Sequence, residues 1–153
     1  MISIILTASD DAKSLARLLT GLVPAAADGL VREVAVLGAT GDAALVADDA
    51  GAELYEAGAF AEAFGKARGP WVAGFPLNCL LTPDWMEVLA AHLSRDVATA
   101  TRLTVRNRGF LRQAPEGWLV PKRVASAGGV AEQDLQRLAR LGGGRGLRIL
   151  DRR

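Results

Sequence analysis

One cysteine, one histidine and 5% aromatic residues deny this 153-residue sequence several kinds of chemistry. A lone cysteine, Cys79, allows no intrachain disulfide. The only available base partner for it is His92, and both sit among apolar neighbours. Cys79 therefore reads as a buried structural thiol, not as half of a nucleophilic pair. The few aromatics argue against a base-stacking platform. A net charge of +1 lacks the basic excess of a nucleic-acid surface. The longest apolar stretch, Trp71 to Leu81, is interrupted by Gly74, Pro76 and Asn78 and is too short to span a bilayer. The apolar start, Met1 to Ala8, has no basic leader and no cleavage pattern after it. These absences predict a cytoplasmic location, no membrane span and no nucleic-acid partner.

What is present fits a globular protein. Half of the residues are hydrophobic and 23% are charged. The length predicts a single domain over residues 1–153, large enough to bury a core. No internal repeat and no linker interrupts it.

Ile2 to Thr7 (ISIILT) reads as a strand buried on both faces. Ser9 or Asp10 is the expected cap of a helix carrying Leu15, Leu18, Leu19 and Leu22, which Gly21 and Pro24 should end. Glu33 to Leu37 predicts a second strand, closed by the turn Gly38-Ala39-Thr40-Gly41. A short helix over Asp42 to Gly51 and a strand over Ala52 to Tyr55 follow. Phe60 to Arg68 reads as a helix stopped by Gly69-Pro70, and Trp71 to Phe75 as a fourth strand. Thr82-Pro83-Asp84 is a helix start with a capping hydroxyl, a proline at the first position and an early acid. That helix directs Trp85, Met86, Leu89 and Leu93 inward.

Strand–helix alternation over the first 93 residues implies a parallel sheet, whose ligands bind beyond the carboxyl ends of the strands. Thr7 to Asp11, Gly38 to Asp42 and Pro76 to Leu80 would then share one rim. After Asp96 the pattern changes. Val97 to Val105 alternates like a half-exposed strand, and Asn107-Arg108-Gly109 looks like a turn. Phe110 to Arg112 and Trp118 to Val120 suggest antiparallel partners. Ala131 to Leu141 reads as a helix, and Leu147 to Leu150 as a last strand.

Several stretches, in this order, resemble the family 2 glycosyltransferases of the GT-A fold. ISIILTASDDAKSLARLL is similar to that family's first strand and helix, and EVAVLGATGD to its next strand and turn. FGKARGPWVAGF resembles the segment leading to its metal motif. LTPDWMEVLAAHL resembles the helix after that motif, and GWLVPKRVASAGGVAEQDLQRLARLGG its Gly-Gly, acidic and leucine/arginine segment. The resemblance implies an α/β fold: a mostly parallel GT-A-like sheet flanked by helices, with a small antiparallel part in the second half. It also implies a nucleotide or nucleotide sugar as ligand, with Thr7, Ser9, Gly38 and Asn78 facing it. Asp134 is the better match to the family's catalytic base because it precedes Leu135, and Glu132 is second. Capping and helix-dipole effects also place acids in a first turn.

The departures are as informative. Counting back from Thr82 places the family's Asp-x-Asp at Pro76-Leu77-Asn78. Proline and leucine offer no side-chain ligand, and Asn78 offers one neutral oxygen, where Mg²⁺ or Mn²⁺ needs hard anionic donors. No metal and no other cofactor is therefore expected. Gly38 stands where the family usually has an acid, and Ala61 and Ala63 where it often has a polar pair. Arginines around 106–112 and 145–153 could stand in for a metal against a diphosphate, although solvated basic surface explains them as well.

The sequence thus predicts a glycosyltransferase-like protein with metal-dependent transfer lost or weakened. The alternative is a non-catalytic binding or assembly module, a pseudo-glycosyltransferase, acting as a homo-oligomer or with a partner protein. A nucleotidyltransferase is disfavoured because Ala8-Ser9-Asp10-Asp11 is acidic and glycine-free.

Overall fold

The computed structural model describes residues 1–95, 99–105, 115–124, 131–142 and 146–152, with the backbone alone at Val124 and Arg152. Among the described residues eight strands form one sheet: β1 Ile2–Thr7, β2 Val31–Leu37, β3 Glu53–Tyr55, β4 Trp71–Gly74, β5 Cys79–Leu81, β6 Thr101–Val105, β7 Gly117–Pro121 and β8 Leu147–Arg152. Their spatial order is β3-β2-β1-β4-β7-β6-β8-β5. The first four strands in that order are mutually parallel, as crossover helices require. β7 is antiparallel to both β4 and β6, and β5 is antiparallel to β8. The expected parallel part and antiparallel addition are both present.

Alternation along β1 shows why two layers of helices are needed. Ile2, Ile4 and Leu6 join one buried cluster with α1 (Ala12–Ala27), α2 (Asp42–Asp49) and α4 (Trp85–Leu93). Ile5 joins the other, with α3 (Phe60–Lys66) and α5 (Glu132–Leu141). A strand covered on both faces must be apolar on both. Among the described residues no helix is long and apolar enough to cross a membrane.

Four local expectations need correction. The cap of α1 is Asp11, not Ser9 or Asp10; its carboxylate accepts from the Ser14 amide at 3.0 Å. The helix then passes through Pro24 to Ala27. Leu22 and Ala25 are buried, so packing holds the last turn although Pro24 has no N–H for the Thr20 carbonyl. Thr82 does not cap α4. Its hydroxyl is buried without a hydrogen-bond partner among the described residues, and Asp84 occupies the cap position. The stretch Trp71 to Leu81 holds two strands, and the second, β5, was not expected. The predicted turn at 107–109 and strand at 110–112 lie outside the described residues, as does the Gly128-Gly129 pair.

At the amino ends of the strands, Glu33 ties β2 to β1 and to the start of β4. It accepts from the Ser3 hydroxyl and the Arg68 amide, both at 2.5 Å, and pairs with the Arg68 guanidinium. Burial pushes the Glu33 carboxyl up, but Ser3 and the two Arg68 donors outweigh it and hold the carboxyl below its ordinary value of 4.5. A lowered folded value means that this contribution is present above the unfolded range and is lost as pH falls through the folded one. Glu33→Gln is therefore expected to cost about 1–3 kcal/mol at pH 7. It should also flatten the fall of the thermal midpoint below pH 4.5, read by circular dichroism.

Candidate functional site

The chain winds outward from β1 to β2 and β3, then returns to place β4 on the other side of β1. In open α/β sheets such a reversal marks the ligand crevice, which falls beyond the carboxyl ends of β1 and β4 in this strand order. Thr7 ends β1 and is exposed. Its hydroxyl donates to Glu132 Oε2 at 3.2 Å. Trp118, near the start of β7, donates its indole N–H to Glu132 Oε1, also at 3.2 Å. The first residue of α5 is thereby fixed to two strands of the sheet.

The indole reaches this position because Gly74 lies opposite Trp118 in the β4–β7 ladder and presents no side chain. Phe60, the first residue of α3, packs edge-on against the same indole, with ring centroids 6.0 Å apart. Trp118 is 1% exposed. Sequence reading placed Trp118 in a strand and gave neither it nor Gly74 a role. The usable signal was a tryptophan in an aromatic-poor chain, since a buried indole N–H requires an acceptor.

Of the two candidate acids, Glu132 and not Asp134 meets the rim. Asp134 is exposed, and its Oδ2 accepts from the Ala131 amide at 3.4 Å, capping its own helix. Ser9 donates its hydroxyl to Asp10, and its carbonyl accepts from the Thr40 amide at 2.9 Å. That bond joins the turn after β1 to the turn after β2. Gly38, at a φ of 70°, directs the second turn, and its amide donates to the Tyr55 carbonyl. Beside these turns lies an open groove of about 780 Å³, bordered by Gly38, Thr40, Tyr55, Glu56, Glu62 and Lys66. Lys66 pairs with Glu62 at 2.7 Å and stands 5.5 Å over the Tyr55 ring.

Asn78 is exposed in a separate tight turn, closed by the Cys79 amide donating to the Pro76 carbonyl at 3.4 Å. That turn supplies one neutral side-chain oxygen where a divalent ion would need several anionic ones. Among the described residues no three His, Cys, Asp or Glu side chains are grouped to hold a metal. Among the described residues the donor set at this turn does not fit a divalent cation. Of the basic tail, Arg152 lies opposite Cys79 in the β5–β8 ladder. Arg106, Arg108, Arg112, Arg145 and Arg153 are outside the described residues.

Burial pushes the Cys79 thiol up to about 11, which leaves it protonated and unreactive. His92 packs edge-on against Trp71 instead, and burial, with Arg95 nearby, lowers its pKa. The two share no hydrogen bond among the described residues.

No protein-family model and no curated protein matches the sequence. Solved structures do resemble it. One is glucosyl-3-phosphoglycerate synthase from Mycobacterium tuberculosis with Mn²⁺, UDP and glucosyl-3-phosphoglycerate, at a TM-score of 0.69 and 16% identity. That match covers 100% of this chain and 72% of the other. The same enzyme with Mn²⁺, UDP and phosphoglyceric acid superimposes with a TM-score of 0.62 at 16% identity, over 82% of this chain. The fold is that of the GT-A glycosyltransferases. A further mycobacterial protein matches at 0.62 and 20% identity, over 82% of this chain and 54% of its own. In the phosphoglyceric acid complex the match spans 57% of the synthase's length. Thr7 ends β1 and the Asn78 turn follows the parallel strand β4, so both lie at the carboxyl edge of these strands.

Proposed function

We propose that the chain, taken as one domain over residues 1–153, is a family 2 glycosyltransferase-like protein that binds a nucleotide sugar in this crevice, with metal-dependent transfer lost or weakened. The observation that carries this reading is the contrast between two points on one rim. Glu132 keeps a carboxylate at the strand-order reversal, and the Pro76–Asn78 turn keeps none. Thr7, Ser9, Gly38 and Asn78 are the groups offered to the nucleotide side. Glu132, and not Asp134, is the acid that would take the proton of an attacking hydroxyl. A diphosphate leaving without a cation gains little electrostatic stabilisation, and that term usually dominates such catalysis. Transfer, where it occurs, is metal-independent and slow.

One observation favours a second reading, a non-catalytic pseudo-glycosyltransferase. Both Glu132 oxygens already accept a hydrogen bond, from Thr7 and Trp118, so the carboxylate also serves as a clasp for α5.

Calorimetric titration with UDP, GDP and UDP-glucose, with and without Mn²⁺, tests both. The expected result is binding that Mn²⁺ changes by less than about twofold. A gain above about tenfold with Mn²⁺ would overturn the metal-independent account. Absence of binding by all three ligands would overturn the nucleotide-sugar reading and leave assembly.

A further inference from the structure

We infer that Trp118 is the positioning residue for Glu132, and that Gly74 is the vacancy that admits it. The inference rests on the reading of Glu132 given above. It begins with what an indole can do. Its N–H is a single donor with no acceptor capacity, so a buried tryptophan must find an oxygen to satisfy it. Trp118 is 1% exposed and its N–H finds Glu132 Oε1. The nitrogen makes this buried ring more than packing, because its N–H has to be satisfied where it lies.

The indole has little freedom to move. A Cβ at Gly74 would lie 2.3 to 2.6 Å from three of its ring atoms, so the ring lies directly on the β4 backbone. Phe60 bounds it from the side of α3. A donor held this rigidly fixes its acceptor. Thr7 donates to the other oxygen from β1, so the plane of the carboxylate is set by two strands and not by the flexible glutamate side chain. Orientation fixed before binding removes an ordering cost that a ligand hydroxyl would otherwise meet. Each carboxylate oxygen retains a further lone pair for that hydroxyl.

Trp118→Phe deletes the donor and also removes ring volume over Gly74, so UDP reads any general loosening of the site and UDP-glucose the loss of the donor. UDP and UDP-glucose are the probes: both carry the nucleotide half, and only UDP-glucose brings sugar hydroxyls that can donate to the carboxylate in place of an acceptor's. The variant should bind UDP-glucose about fivefold more weakly, as expected for one hydrogen bond, and UDP within about twofold of wild type. In proton–nitrogen correlation spectra, Glu132→Ala should move the Trp118 indole resonance and leave those of Trp71 and Trp85 in place. Glu132→Ala tests the same bond without altering the core, should Trp118→Phe fail to fold. Equal weakening of both ligands in Trp118→Phe would mean packing alone and would overturn the assignment. Unchanged UDP-glucose affinity, or an indole resonance indifferent to Glu132→Ala, would overturn it too. If wild type binds neither probe, the nucleotide-sugar reading fails and the positioning role falls with it, while the indole resonance still reports the bond.

Discussion

Gly74→Ala should lower the unfolding free energy by about 3 kcal/mol, at the upper end of what overpacking a core costs. The contact is with the indole of Trp118 at 2.3 to 2.6 Å, far inside van der Waals range. The ring cannot turn away cheaply. Phe60 stands beside it and Glu132 holds its nitrogen. A methyl group at Gly74 must therefore either spread β4 from β7 or push the indole off Glu132. The first breaks a ladder near the centre of the sheet, and the second leaves a buried N–H unpaired. Urea unfolding followed by circular dichroism measures the loss. Gly58→Ala is the control, since a Cβ there meets nothing within 4 Å. If Gly74→Ala were no worse than Gly58→Ala, the indole would be mobile, and the fixed carboxylate would lose its basis.

The elements that sequence reading placed best are those whose signal is local. ISIILT could be a doubly buried strand on its side chains alone, and β1 is one. The turn at Gly38 to Gly41 needed only its glycines, and both adopt positive φ. Where packing overrides a local signal, the reading fails. Pro24 looks like a stop, yet buried Leu22 and Ala25 carry α1 past it. β5 is three residues long and exists because β8, from the far end of the chain, pairs with it. No local pattern specifies such a strand. The two acids of α5 show a third kind of limit. The resemblance favours Asp134 because it precedes Leu135, and it carries no information on direction: residues two apart on a helix point about 200° from each other. With Leu135 and Ala139 against the sheet, Glu132 is left facing β1 and β7 while Asp134 bends back to its own helix start. The role of Trp118 was hidden because its acceptor lies 14 residues away.

Gly142→Ala is expected to be equally damaging, by about 3 kcal/mol, and to reach the site from the far end of α5. Gly142 has a helical φ of −61°, so its backbone needs no glycine. Its neighbour does. A Cβ there would sit 1.9 Å from the Ala100 carbonyl oxygen and 3.0 Å from its carbon. Ala100 leads into β6, which is locked between β7 and β8, so its carbonyl is not a yielding side chain. The helix must give instead. α5 has ten residues, about 15 Å of rod, seated by Leu135 and Ala139. A rod lifted at one end shifts at the other, where Glu132 meets Thr7 and Trp118 across bonds of 3.2 Å. Little displacement is needed to break contacts of that length. Gly142→Ala should therefore lower the urea midpoint and also move the Trp118 indole resonance, although the substitution lies outside the crevice. Leu141→Ala, at a neighbouring side chain that is 74% exposed, should do neither. A destabilised Gly142→Ala with an unmoved indole resonance would show that the clasp holds independently of how the helix is seated.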